Sequence, residues 1–489
     1  MSDRSGARVA FLQHNGINES LGLCDLAGHL KSLGVATRLF LRREERDLPG
    51  QLRRFDPALV VIPCDLLGHN AALGLARLAQ AAVDAPVVLG GTHPTFFSNV
   101  VLRDGVDYAF AGEAEGVVVD LLDAVRAGGP TDDIPNLIRR RDSGFVVNPL
   151  RPIVHDLDAT PLPDRDVYFR YPFMAAFPVK KFSTGRGCHN SCGFCFNPSY
   201  RAMLASPTGF FRRKGAQRIA TEILAVKDRY PLNVVHFSDD LFSSGEEWLA
   251  AFMEVYRERV RVPYSCNTFA STINERIVRL MRDGGCRVAA IGLEIADDRL
   301  RREVMNKPVT AAQVIDAARQ LKAAGILVVT FNILGVPWSS VDGDLETLAL
   351  NRQIGADHTR TTVLVPFPKS AIARKMAAAG FMAADFEERI YEVADIPAWP
   401  AETLYRCRDT AVTMRIYRLW PLLVRLPLPA SWARWLVRRR WADVLAVAGT
   451  LLALASEKRI FGIGWWTGFR YFLHVKHPGL KTSNYVSFI

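Results

Sequence analysis

The stretch that most restricts this 489-residue chain is Gly185-Arg186-Gly187-Cys188-His189-Asn190-Ser191-Cys192-Gly193-Phe194-Cys195-Phe196. Three of the eight cysteines fall here at C-x3-C-x2-C spacing, just after glycines that let backbone approach a bulky inorganic group. Three thiolates from one short loop can hold three irons of a [4Fe–4S] cluster and leave the fourth iron to a non-protein ligand. The bland alternatives are a disulfide pair or a zinc knuckle. Zinc normally takes four protein ligands, and the only nearby fourth candidate is His189, inside the loop itself. The remaining Cys24, Cys64, Cys266, Cys286 and Cys407 are scattered without a pairing pattern. They read as buried free thiols of a reducing, cytoplasmic compartment.

A chain of this length suggests two to four domains. From residue 1 to 127 short apolar strands alternate with helical stretches: Val9 to Leu12, Val35 to Leu41, Leu59 to Pro63 and Pro86 to Leu89 are the strands. Strands buried on both faces and separated by helices predict a doubly wound, Rossmann-like parallel sheet. Ligands of such sheets sit at the carboxyl ends of the strands, which draws attention to Gly90-Gly91-Thr92-His93-Pro94-Thr95 and to Gly112-Glu113. Residues 128–180 are rich in Pro, Asp and Arg and read as a linker, with a hairpin-like patch from Leu137 to Val147. Residues 181–377 alternate again, with about six β/α units, fewer than a closed eight-fold barrel needs.

The three-cysteine loop, with Phe194 before its last cysteine, resembles the cluster loop of radical S-adenosylmethionine (radical SAM) enzymes. The two strand-end sequences of the first region, "GGTHPT" and "D-Y-x-x-x-G-E-x-E", resemble the cobalamin-binding domain that precedes many radical SAM domains. The likeness covers roughly residues 5 to 377. It implies that Cys188, Cys192 and Cys195 bind the cluster. It further implies that Gly90, Gly91, Thr92, His93, Gly112 and Glu113 contact cobalamin. In the second domain Asp239 and Asp240 match the family's "F-x-D-D-x-F" and Glu294 its "G-x-E" strand end. With Phe194, Ile333 and Gly335 they are the implied S-adenosylmethionine (SAM) contacts. The Asp-x-His-x-x-Gly motif of cobalamin mutases is absent, so no motif histidine lies below the cobalt; His14 and His93 are the remaining candidate contacts, with an ordinary polar loop residue as the alternative reading of each. Trp338-Ser339 stands where relatives carry Gly-Glu, and Lys369-Ser370 where they carry Gly-Thr, departures that imply an unusual substrate pocket.

Residues 378–489 read as a mostly helical domain with helices at Phe386 to Val393, Thr410 to Trp420 (stopped by Pro421) and Val444 to Ala455. The chain's net charge is +11, and Ala411 to Ile489 alone carries twelve Lys/Arg against Asp443 and Glu457. Charge so concentrated disfavours a general nucleic-acid surface. Tryptophan and arginine interleaved on short helices suit either a membrane interface or a cap over a substrate cavity. No uninterrupted run reaches the roughly 18 apolar residues of a spanning helix.

The resemblance implies a cobalamin-dependent radical SAM methyltransferase acting on an unactivated carbon of a small, hydrophobic molecule. Cofactors of this kind do the hard chemistry while the protein positions them. An external electron donor of the flavodoxin or ferredoxin type is implied with them. Oxidative cyclisation or ring rearrangement without methyl transfer is the neighbouring alternative, and a non-catalytic cluster- and corrinoid-binding protein the more distant one.

Overall fold

A computed structural model describes residues 4–16, 19–65, 68–367, 369–383, 385–392, 405 and 409–464. Two compact units emerge. The first holds residues 1–175 together with Tyr200–Phe210 and Glu387–Trp399; the second holds 176–199, 211–386 and 400–489.

The first unit is built on strands β1 (Arg8–Gln13), β2 (Ala36–Leu41), β3 (Leu59–Pro63), β4 (Val87–Gly90) and β5 (Tyr108–Phe110), followed by β6 (Leu137–Arg141) and β7 (Gly144–Val147). Their order is β2-β1-β3-β4-β5-β6-β7. The first five are parallel, as expected from continuous apolar runs such as Leu59-Val60-Val61-Ile62, each of them buried. Helices such as His69–Gln80 and Glu115–Ala127 cover the sheet, the second ending on left-handed Gly128. The expected break near residue 127 falls inside this body. The hairpin at Leu137 to Val147 is no free linker: it pairs antiparallel with β5 and extends the sheet, burying Leu137 and Ile138. Its charged run Arg139-Arg140-Arg141 masked that role in sequence.

The second unit carries six parallel strands in simple succession: β8 (Val179–Phe182), β11 (Val234–Phe237), β12 (Tyr264–Thr268), β13 (Cys286–Glu294), β14 (Leu327–Leu334) and β15 (His358–Val363). Between β8 and β11 lies a two-stranded ribbon, β9 (Gly185–Arg186) with β10 (Arg212–Arg213). Monotonic order with a helix after each strand is a (β/α)6 partial barrel, with loops at the strand carboxyl ends available for chemistry. β12, with Ser265, Asn267 and Thr268 among its five residues, is the strand whose polarity hid it.

The described part of the C-terminal region is helical. Helix Thr410–Leu423 runs through Pro421 instead of stopping before it. Proline near the last turn removes only one hydrogen bond, and burial of Ile416, Leu419, Trp420 and Leu423 holds the helix in place. Trp420 donates its indole N–H to Thr359 Oγ1 at 3.0 Å, fixing the helix beside edge strand β15. Helices Ala430–Val437 and Ala446–Phe461 follow, joined by the 3-10 turn Arg440–Leu445. The expected helix from Phe386 is only Phe386–Arg389 followed by a 3-10 turn, Ile390–Glu392. Trp465 and Trp466 lie outside the described residues. Among the described residues no helix is long and apolar enough to cross a membrane.

Candidate active site

The three-cysteine loop leaves β8 through Thr184, and the sequence holds it at both ends. Gly185 is obligatory, because a Cβ there would lie 2.2 Å from the Arg212 carbonyl across the ribbon. At the far end the Gly193 N–H donates to Met305 O at 2.6 Å, and its carbonyl accepts from Ile372 N–H at 2.9 Å. Asn306 Nδ2 donates to Ser191 O at 2.6 Å. The segment Met305-Asn306-Lys307 thus clamps the loop, a role that sequence reading missed.

Behind the loop, Asp239 at the end of β11 is buried and turned inward. Its carboxylate accepts from Thr184 N–H at 2.9 and 3.0 Å and from Thr184 Oγ1 at 2.8 Å, with Arg213 at 3.7 Å. Burial holds its carboxyl above the usual range, while Arg213 and Thr184 oppose that shift. Asp239 is therefore an organiser of the turn into the cysteine loop. Asp240 accepts from Asn197 Nδ2 at 2.9 Å, and the same amide lies 3.7 Å from Cys195 Sγ. A hydrogen bond to a ligating sulfur of this kind tunes a metal centre from outside.

Glu294 sits at a β-bulge at the end of β13 with φ of +67°, a left-handed conformation rare for a side chain of its size. Lys307 Nζ lies 2.6 Å from its carboxylate. Arg301, fully buried, donates to the carbonyls of Leu293, Ile295, Ala296 and Val309 and so fixes the loop that follows. At the end of β14 Ile333 is buried, and Gly335, at φ +70°, donates its N–H to Asp344 Oδ1 at 3.4 Å. Asp344 Oδ2 also accepts from Thr413 Oγ1, which ties the C-terminal helix to this strand end. Phe194 is half-buried on the cysteine loop.

In the first unit the strand ends make a second cradle. Gly91 has φ +115° and ψ −161°, and a Cβ there would meet the Cys64 carbonyl at 2.8 Å. Gly112, at φ +76°, would press a Cβ against the Tyr200 hydroxyl at 2.6 Å. Thr95 Oγ1 donates to Gly91 O and accepts from Gly112 N–H, linking the ends of β4 and β5. Gly90 ends β4 and Thr92 opens the short helix Thr92–Phe96. Glu113 accepts from Val154 N–H at 3.2 Å, so it anchors the segment after the hairpin. His93 differs from the loop residue expected: it is fully buried within that short helix. It stacks on His69 at 5.0 Å and Phe97 at 4.8 Å. Burial, reinforced by His69, holds its imidazole well below the ordinary histidine range, hence neutral. His14 is half-buried after β1.

Sequence profiles separate the same two regions: residues 182–348 match the Radical SAM superfamily and residues 8–122 the B12 binding domain. The chain carries a B12-binding domain and a radical SAM domain. An uncharacterized methyltransferase of Pyrococcus horikoshii is 25% identical over 330 residues, 66% of this chain and 70% of that one. The cytidylyl-2-hydroxyethylphosphonate methyltransferase of Streptomyces wedmorensis is 21% identical over 360 residues, 65% of this chain and 66% of the relative. Among solved structures, the radical SAM methyltransferase TsrM of Kitasatospora setae with cobalamin and [4Fe–4S] cluster bound aligns at TM-score 0.62. Its identity is 18%, over 90% of this chain and 99% of that one. The cobalamin-dependent radical enzyme OxsB with aqua-cobalamin and SAM bound aligns at TM-score 0.66, with 12% identity over 99% and 77% of the two chains. These likenesses establish the shared fold.

The residues of this radical SAM protein fit its cofactors. Burial pushes the Cys192 thiol up to about 11 and the Cys195 thiol up to about 12, so metal binding must displace their protons. Among the described residues no three His, Cys, Asp or Glu side chains converge on one ion position. Cys188 acts electrostatically on Cys192 and Cys192 on Cys195, so the three thiols are neighbours, and a [4Fe–4S] cluster takes one thiolate on each of three irons. In the first unit, glycine at 91 and 112 lets the turns after β4 and β5 pack directly on the Cys64 carbonyl and the Tyr200 ring at positive φ, at the strand carboxyl ends where ligands of such sheets sit.

Proposed function

We propose that this radical SAM enzyme is a cobalamin-dependent methyltransferase that modifies an unactivated carbon of a small hydrophobic molecule. One observation carries the reading: a single chain holds both a clamped three-thiol loop at the carboxyl end of the first barrel strand and tight glycine turns at the strand ends of a B12-binding-type sheet. Both named relatives are methyltransferases, which favours methyl transfer over cyclisation. When bound, the cluster, SAM and cobalamin supply one-electron cleavage of SAM and a transferable methyl group.

The chain's own residues bind and orient. Cys188, Cys192 and Cys195 hold the cluster, and Asn197 steadies Cys195. Asp239 and Arg213 set the entry to the loop, and the Lys307–Glu294 pair with Gly292 shapes the adjoining strand end. Asp240, Phe194, Ile333 and Gly335 border the SAM position, and Gly90, Gly91, Thr92, His93, Gly112 and Glu113 the cobalamin position. Hydrogen removal by a radical requires no general base, so a Ser/His/Asp-type constellation has no part here. A flavodoxin- or ferredoxin-class protein delivers the electrons in a reducing cytoplasm, and the C-terminal part makes peripheral contact with a membrane.

The test is anaerobic reconstitution with SAM, cobalamin and a reductant, followed by mass spectrometry. Turnover yields 5′-deoxyadenosine together with S-adenosylhomocysteine, and both vanish in the C188A/C192A/C195A variant. Deoxyadenosine produced with substrate but without S-adenosylhomocysteine sinks methyl transfer.

A further inference from the structure

Helix Ala430–Val437, the turn Arg440–Leu445 and helix Ala446–Phe461 bury one side and leave the other bare. Ala433, Leu436, Val437, Ala442, Ala446 and Gly449 face inward. Outward stand Trp432, Trp435 and Trp441, at 65%, 50% and 55% exposure, then Val444, Val447 and Leu451 at 72%, 58% and 63%. The last four positions, 441, 444, 447 and 451, recur at three- and four-residue steps, which puts them in one stripe along the turn and helix. Trp435 and Trp441 meet edge to face with ring centroids 6.1 Å apart, so the two helices share a continuous apolar surface. Large apolar groups exposed to half or more of their surface, in such number, mark an interaction site.

The charge beside the stripe identifies the partner. Arg438, Arg439 and Arg440 are exposed at its centre, and Arg439 lies over the Trp435 ring at 5.2 Å. Among the described residues no carboxylate pairs with any of the three. The nearby acids are already engaged: Asp443 with Arg415 and Arg418, and Asp342 with Arg434. Exposed indoles with unneutralised guanidinium groups on a short amphipathic pair of helices match the headgroup layer of an anionic bilayer. Protein interfaces also use Trp and Arg, but three consecutive exposed arginines without a carboxylate beside them call for a surface of continuous negative charge, which anionic headgroups supply.

We propose that this Trp/Arg surface docks the enzyme in the plane of a membrane bearing anionic lipid, with the tryptophans at headgroup level. This gives the membrane contact named above its residues and lipid class. It stands apart from methyl transfer, since binding is read without turnover.

The full-length protein is sedimented with phosphatidylglycerol-containing vesicles and, in parallel, with phosphatidylcholine vesicles. Binding to the anionic vesicles is expected, weakening as salt screens the arginines. R438Q/R439Q/R440Q should lose about a hundredfold in partition, at roughly 1 kcal/mol per cation near the surface. W432S/W435S/W441S should lose binding while retaining its cluster absorbance on reconstitution, which reports an intact fold. The proposal is overturned if the wild-type protein stays in the supernatant with anionic vesicles, or if neither variant changes its partition. It is equally overturned if a chain ending at Gly464 binds and the full chain does not, which would make the last 25 residues the occupant. A dimer in sedimentation velocity that W432S/W435S/W441S dissolves would give the surface to a second copy instead.

Discussion

Lys307 Nζ lies 2.6 Å from Glu294 Oε1 and 2.7 Å from the Gly292 carbonyl, with both side chains almost closed to solvent. Gly292 makes the pairing feasible: a Cβ there would stand 2.3 Å from the carboxylate and 2.4 Å from the ammonium. Lys307 also sits 5.0 Å from the Phe269 ring, and its neighbours Met305 and Asn306 clamp the cysteine loop. The ion pair therefore joins a strand end to the cluster loop through three consecutive residues.

Removing one partner leaves the other charged and buried. Lys307→Met should cost about 3–5 kcal/mol in urea unfolding of the apo protein. The double variant K307M/E294Q should recover most of that loss, a coupling that a double-mutant cycle measures directly.

Asp239→Asn keeps the size of the side chain but gives up one acceptor and the partner of Arg213. Two donors of Thr184, its N–H and its hydroxyl, are at stake, each costing about 1–3 kcal/mol when left buried and unpaired. The expected result is a lower thermal midpoint and a reduced iron and sulfide content after reconstitution, with Asp240→Asn milder on stability because Asn197 is its sole hydrogen-bond partner among the described residues.

Gly91 and Gly90 differ sharply despite their adjacency. Gly91→Ala forces a side chain into a φ/ψ region used almost only by glycine and should destabilise by about 1–3 kcal/mol. Gly90→Ala meets only the Phe110 ring, at 3.4 Å. Spectrophotometric titration with hydroxocobalamin should therefore show weakened binding for the first variant and near-normal binding for the second.

Lys369, which aligns with the glycine of the family motif only by resemblance, has φ +62°, a conformation that glycine adopts without strain. Lys369→Gly should raise stability by about 1 kcal/mol by relieving left-handed strain, read as a higher urea midpoint.

Burial raises the Asp344 carboxyl from its ordinary 3.8 to about 7, against the opposing hydrogen bonds from Gly335 and Thr413. Between those values the native state holds a proton that the unfolded chain has released. Stability therefore falls as pH rises from about 4 to about 7, by at most about 1.4 kcal/mol per unit. Asp344→Asn should flatten that slope, as seen by comparing urea midpoints at pH 5 and pH 8.

The sequence displayed what depends on local pattern. Apolar runs gave the parallel strands, and C-x3-C-x2-C gave the cluster loop, because both are encoded by neighbouring residues. What it concealed depends on distant partners. Lys307, Arg213, Asn197 and Thr184 each look like unremarked polar residues until folding brings them to Glu294, Asp239, Asp240 and Asp239. The burial of His93 is of the same kind, since it comes from stacking on His69 and Phe97. Only the "M-N-K" run after the "G-x-E" strand end, spaced to reach back, offered a usable hint.

The first unit borrows chain from far downstream: the Gly112 turn abuts Tyr200, and His69 Nε2 pairs with Ile390 O at 2.9 Å. A ribosome must therefore have passed Ile390 before the earliest-made part of the protein has all its contacts. The amino-terminal region emerges first yet finishes among the last, and holding its exposed helix faces soluble during that interval falls to chaperones or to the speed of elongation. A cut anywhere between residues 210 and 387 would part this unit from the Ile390 segment that His69 holds.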